Sequence, residues 1–179
     1  MTDAHSVIER GTTETRGDEH VLRFTLRLPH PVPRVWAAVA SSEGLARWLG
    51  AADPFEPYIG GAVTLRLAPA GQETEVRTVS GTVTAWDVER VAEYTLDSGR
   101  GRTRFHLEPP RGEDVVLRFT NEFRGDDARR LDRLTDWHSR FERLAAALDG
   151  EAAAGPDRPP AGWRELRESY GADDGGKQF

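Results

Sequence analysis

Between residues 128 and 148 the apolar side chains fall at intervals of three and four: Leu131, Leu134, Trp137, Phe141, Leu144, Ala145 and Leu148. At helical spacing these side chains share one stripe. The acidic loop "RGDDA" before the stretch and Gly150 after it mark where the helix starts and stops. No other amphipathic stretch in the chain is as long. Any sheet the rest of the sequence forms must therefore bury its apolar face against this helix.

Upstream the period changes to two. In "HVLRFTLRLP" (20–29), Leu22, Phe24, Leu26 and Leu28 alternate with Arg23, Thr25 and Arg27, which predicts a strand with one buried and one solvated face. "VIER" (7–10) can pair with it through a turn at Gly17-Asp18. Pro29, Pro31 and Pro33 end the strand, and Pro33 suits the first turn of a helix carrying Val35, Trp36 and Val39. Ser42 is the expected cap of a second short helix with Leu45, Trp48 and Leu49 on one side, and Gly50 its expected left-handed end. From 57 to 123, short strands alternate with Gly- and Pro-rich turns: a Gly60-Gly61 lead into Val63, Leu65 and Leu67, then one or two strands interrupted near Gly81, then 90–96, 102–109 and 113–123. That is an antiparallel meander. After Gly150, "EAAAGPDRPPAG" reads as a linker, "WRELRESYGA" as a short helix at 163–170 docking through Trp163, Leu166 and Tyr170, and "DDGGKQF" as a disordered tail.

The expected class is α+β: a curved antiparallel sheet wrapped around a long C-terminal helix, with two short helices after the first strand. One domain spans 20–150, preceded by a flexible segment at 1–19 with a possible edge strand and followed by the tail at 151–179. Composition narrows the partners. The net charge of −6, with acidic residues interspersed among the Arg, offers no basic stripe for nucleic acid. With no cysteine, disulfides and thiolate chemistry are excluded. The N-terminus has neither a basic nor an apolar signal region, and no apolar run approaches the roughly 20 residues of a membrane span. A cytoplasmic protein, monomeric or weakly dimeric, is expected. Lys177 is the only Lys, a bias read as the mark of a high-GC bacterial genome.

Four separated strings, in order, resemble a known family: "VPRVWAAVASSEGLARWLG", "EPYIGGAVTLRL", "LRFTNEF" and "DWHSRFERLAAALDG". Together they resemble the helix-grip (START-like, SRPBCC) superfamily. Within it they are most similar to the branch named for homology to the C-terminal domain of the activator of the heat-shock-protein-90 ATPase. The resemblance covers about residues 20–150. It implies the helix-grip fold and a space between helix and sheet where a ligand could sit. Where many relatives carry His in an F-T-H string this chain has Asn121, so a titrating imidazole is not carried over. The 179 residues leave no room for the separate N-terminal domain of the eukaryotic activator, and chaperone function is not inferred from the family name.

The five His show no metal-ligand spacing, and no Ser lies in a G-x-S-x-G turn, so neither a metal nor a cofactor is expected. Acid–base work in a cavity is the enzymatic alternative, of the cyclase or aromatase kind, with His106, His138, Glu93 and Asp87 as the candidate groups. A chaperone-accessory or protein-interaction domain is the other. The leading expectation is non-catalytic binding of a small hydrophobic or aromatic molecule by Trp48, Tyr58, Phe105, Phe119, Trp137 and Phe141. It calls for a cavity of at least roughly 300 Å³ between the long helix and the sheet.

Overall fold

The computed structural model describes residues 5–67, 75–97, 99–150 and 162–175, with 173–175 described by backbone alone. The linker expected after Gly150 and the last four residues of the expected tail lie outside them. The amphipathic stretch forms one helix, Asp127–Asp149. Its first turn is capped by Asp126, which accepts from the Arg129 N–H at 2.8 Å, and Gly150 closes it in the left-handed conformation at φ 76°.

Among the described residues nine strands make one antiparallel sheet. In chain order they are β1 (Val7–Ile8), β2 (Thr12–Arg16), β3 (Glu19–Leu28), β4 (Gly50–Phe55), β5 (Ala62–Leu67), β6 (Arg77–Asp87), β7 (Val91–Leu96), β8 (Gly101–Leu107) and β9 (Val115–Arg124). The helices are α1 (Val32–Ala40), α2 (Ser42–Ala46), the long α3 already described and α4 (Trp163–Gly175). Spatial order is β1-β3-β9-β8-β7-β6-β5-β4, with β2 also pairing β3. The N-terminal segment thus supplies two edge strands. The hairpin through Gly17-Asp18 is made by β2, while Val7 and Ile8 pair further along, opposite Arg27 and Leu26.

Alternation puts Leu22, Phe24, Leu26 and Leu28 of β3 inward, and β9 matches them with Val115, Leu117 and Phe119. Register lines up Phe24, Phe119, Phe105 and Ala92 in a row across four strands. The outer face carries Arg–Glu pairs, among them Arg23–Glu14, Arg102–Glu122 and Arg118–Glu108. Exposed pairs of this kind add little stability each; they account for the interspersed charge.

Three local expectations are corrected. Ser41 caps α2, accepting from the Gly44 N–H at 3.0 Å, while the Ser42 hydroxyl donates to the Ala52 carbonyl. Helix α2 ends at Ala46, so Trp48 sits in the turn beyond it, and Gly50 begins β4. Gly81 does not interrupt a strand: β6 runs straight through it. A Cβ at Gly81 would lie 2.0 Å from the Thr95 carbonyl oxygen, so the glycine allows β7 to approach.

Helix α4 extends to Gly175, beyond the expected 163–170. Its Trp163 donates to Asp136 at 2.8 Å and its Arg167 pairs with Asp132 at 2.7 Å, both on α3. Tyr170 is buried: its hydroxyl accepts from the Gly11 N–H at 3.0 Å and lies 2.7 Å from His138 Nδ1. A second junction joins Asp149 at the end of α3 to His30 at 2.7 Å and to the Ser6 hydroxyl at 2.8 Å.

Gly81→Val forces the β6–β7 backbones apart, and equilibrium unfolding in urea should show a loss of about 1–3 kcal/mol. At Asp149 burial alone would raise the carboxyl, but the hydrogen bonds from His30 and Ser6 outweigh it and hold it below its ordinary value. A depressed folded-state value means that its stabilisation is present above the ordinary carboxylate range and lost as pH falls through that value. Melting curves from pH 7 to pH 2 should therefore show Asp149→Asn less stable than the parent at neutral pH. The difference should close in acid.

Candidate functional site

Rings from the sheet and from α3 meet along one seam. Phe119 stands at its centre, 4.5 Å from Trp137 and 4.9 Å from Phe141 between ring centroids, with Phe105 at 5.2 Å beside it. Trp137 and Phe141 stack one helical turn apart, and Trp48 stacks on the other side of Phe141 at 6.0 Å. The Trp48 indole is fixed by donating to the Ala38 carbonyl at 2.8 Å. The structure thus brings together Trp48, Phe105, Phe119, Trp137 and Phe141.

Tyr58 does not join them. It lies in the turn between β4 and β5, 54% exposed, and its hydroxyl donates to Glu56. The turn before Gly60 points it away from the inner face, which corrects its assignment to the site. Trp36, on α1, packs edge-on against Trp86 of β6 at 5.1 Å.

The rings fill the space they surround. Among the described residues, a void of about 10 Å³ lies between α3 and the inner face of the sheet, bounded by Leu67, Tyr94, Leu96, Trp137, Arg100 and Arg140, among others. The ligand-sized space expected from the sequence is therefore not open. Aromatic contacts of 4.5–6 Å leave no room for a guest unless a ring moves.

Polar groups lie at the void and close beside it. Asn121 is fully buried. Its amide nitrogen donates to the Arg100 and Arg102 carbonyls and to the Thr103 hydroxyl, and its oxygen accepts from the Trp137 indole at 3.3 Å. The alternation Leu117, Phe119, Asn121, Phe123 points Asn121 inward, a signal present in the sequence. Arg133, Trp137 and Arg140 recur at helical spacing, and Arg140 is only 2% exposed, within reach of the Leu49 carbonyl at 3.4 Å. Tyr94 donates to the Val39 carbonyl at 2.7 Å, and burial pushes its hydroxyl far above the ordinary tyrosine value, so it stays protonated.

The candidate acid–base groups lie elsewhere. Glu93 is buried on the outer face, bonded to Thr84 and Arg104. His106 and Asp87 do not border the void, and His138 faces Tyr170. No described residue bordering the void is a carboxylate or an imidazole. Among the described residues, no group of three or more His, Asp or Glu could hold a metal, and no helix is long and apolar enough to cross a membrane. The large exposed apolar side chains among them are Val7, Tyr58, Ile59, Val76 and Val88, on separate strands and turns apart from the adjacent Tyr58 and Ile59.

An open antiparallel sheet gripping one long C-terminal helix, with two short helices after β3, defines a helix-grip protein of the α+β class. The family described as "Activator of Hsp90 ATPase homolog 1-like protein" matches residues 29–149, and the chain belongs to that family. Among solved structures, the conserved protein EF2215 from Enterococcus faecalis superposes with TM-score 0.69 at 14% identity, covering 95% of this chain and 93% of that one. CalU16 from Micromonospora echinospora gives 0.64 at 16% identity, with coverage of 93% and 97%. The protein encoded by gene BPP1335 of Bordetella parapertussis gives 0.62 at 25% identity, with coverage of 99% and 88%. No curated protein matches the sequence.

Asn121→Leu removes the acceptor of the Trp137 indole and the amide that donates to the Arg100 and Arg102 carbonyls. Leaving buried polar atoms unpaired should cost about 1–3 kcal/mol in chemical unfolding. Trp137 emission should shift as the indole loses its acceptor.

Proposed function

We propose that the protein binds a small hydrophobic or aromatic molecule without transforming it, admitting it between α3 and the sheet beside Trp137. One observation carries this reading. The wall of the void is aromatic and aliphatic, and its polar groups are Arg, Thr and a Tyr committed to a backbone carbonyl. None exchanges a proton near neutral pH, which favours holding a guest over acid–base chemistry.

Ligand pockets of small-molecule binders are commonly about 300–1,000 Å³. A void of about 10 Å³ is far below that, so binding proceeds by displacement of a side chain. Trp137 is the natural one to move. It is 7% exposed, more than Phe105, Phe119 or Phe141, and among the described residues its indole is tied by one long bond, to Asn121. The ring swings out and the guest takes its place against Phe119.

Titration with N-phenyl-1-naphthylamine, a neutral apolar dye, tests the reading. Saturable uptake near one dye per chain is expected. Trp137→Ala should bind it more tightly, because a dry apolar cavity of this kind takes up aromatic guests. That variant should also lose about 3–5 kcal/mol of stability. Absence of saturable uptake in both proteins, with no small molecule retained in native mass spectra of protein from its own host, would exclude this function.

A further inference from the structure

Next to the mouth of the void, arginines cluster on one side of a cleft that Glu75, Asp126, Asp132, Asp136 and Glu168 also line. Three guanidinium groups converge on the turn between β7 and β8. Arg133 on α3 donates to the Gly99 carbonyl at 3.3 Å. Arg129, one turn earlier, packs against the same glycine, since a Cβ built there would lie 3.1 Å from its Nη1. Arg100 belongs to the turn itself and borders both the inner void and the open cleft between α3, α4 and β6. Arg100 therefore stands where the cleft meets the apolar throat.

The acidic side chains on this side of α3 are already engaged. Asp126 caps the helix, Asp132 holds Arg167, and Asp136 accepts from Trp163. Arg133 is buried in a neighbourhood that disfavours its own charge: burial first, then the positive charges of Arg100 and Arg129, push it down to about 9. Asp136 acts in the opposite direction and does not outweigh them. Clustering like charges beside an apolar wall costs stability, and an anion seated among them reverses that cost.

We propose that the ligand is an amphipathic anion, its apolar body in the throat beside Trp137 and Leu96 and its carboxylate or phosphate held by Arg100, Arg129 and Arg133. Guanidinium forks suit either head group, since both present oxygen pairs for bidentate hydrogen bonds. The inference rests on the binding function proposed above, because the anionic group is useful only if the throat admits the body.

The test is displacement of bound N-phenyl-1-naphthylamine by decanoate, decyl phosphate and the neutral decanol. At low salt, at least one of the two anions should displace the dye at a concentration at least about tenfold below that of decanol. Which anion does so identifies the head group. Raising the salt should shrink that advantage. In Arg129→Gln, an exposed position where folding is not at stake, and in Arg133→Gln, checked by its melting curve, the anion-to-alcohol ratio should fall towards one. Decanol competing as well as both anions, or an advantage that survives in both variants, overturns the anion site and leaves the apolar binding function standing. Failure of the dye to bind either the parent or Trp137→Ala, with no small molecule retained in native mass spectra, overturns both.

Discussion

The contact between Phe119 and Trp137 is the hinge on which this architecture depends. A sheet with one apolar face is stable only if that face is covered, and α3 is the one described helix long enough to cover it. Phe119 lies in the interior strand β9, with Phe105 and Phe24 as its cross-strand neighbours. Pressing Trp137 and Phe141 against it fixes both the rotation of α3 and its height along the sheet. Asn121 then ties the height of α3 to β9, because its oxygen accepts from the Trp137 indole while its nitrogen is held by the Arg100 and Arg102 carbonyls. The rings supply most of the burial and the amide supplies the register.

Much of the fold is legible in the residues. The three-and-four spacing of α3, the alternation in β3 and β9 and the Gly60-Gly61 turn ahead of β5 each correspond to an element in the structure. What escaped reading escaped for physical reasons. Strand β4, "GAADPF", has almost no β-branched or aromatic residues; it is a strand because β5 offers it an edge. Gly81 looks like a breaker until the neighbouring carbonyl is seen where a side chain would go. Tyr58 sits among apolar neighbours in sequence, and a turn sends it outward.

The candidate site was legible as an inventory and not as a volume. Sequence names the aromatic residues that face inward, but whether they enclose a space or fill it depends on ring orientations set by many contacts at once. The polar members show the same limit. Asn121 and Arg140 stand at inward positions by simple periodicity, yet polar residues are assigned outward by default, and only their buried partners reveal otherwise. The Arg100, Arg129 and Arg133 grouping spans two elements far apart in sequence, so no local pattern announces it.

The Tyr170 hydroxyl, which bonds the Gly11 amide on one side and faces His138 on the other, has a consequence for how the molecule breathes. Gly11 lies at the break between β1 and β2, passing directly over the Phe24 ring. Its amide can reach solvent only when α4 lifts away. Edge strands and a terminal helix are ordinarily the first parts of a fold to fray, each on its own. Here the Tyr170 hydroxyl, with Arg10 set over the same ring and bonded to Ser169, couples the N-terminal edge to α4 so that the two share one local unfolding event, and slow proton exchange at residue 11 would report on a helix more than 150 positions downstream.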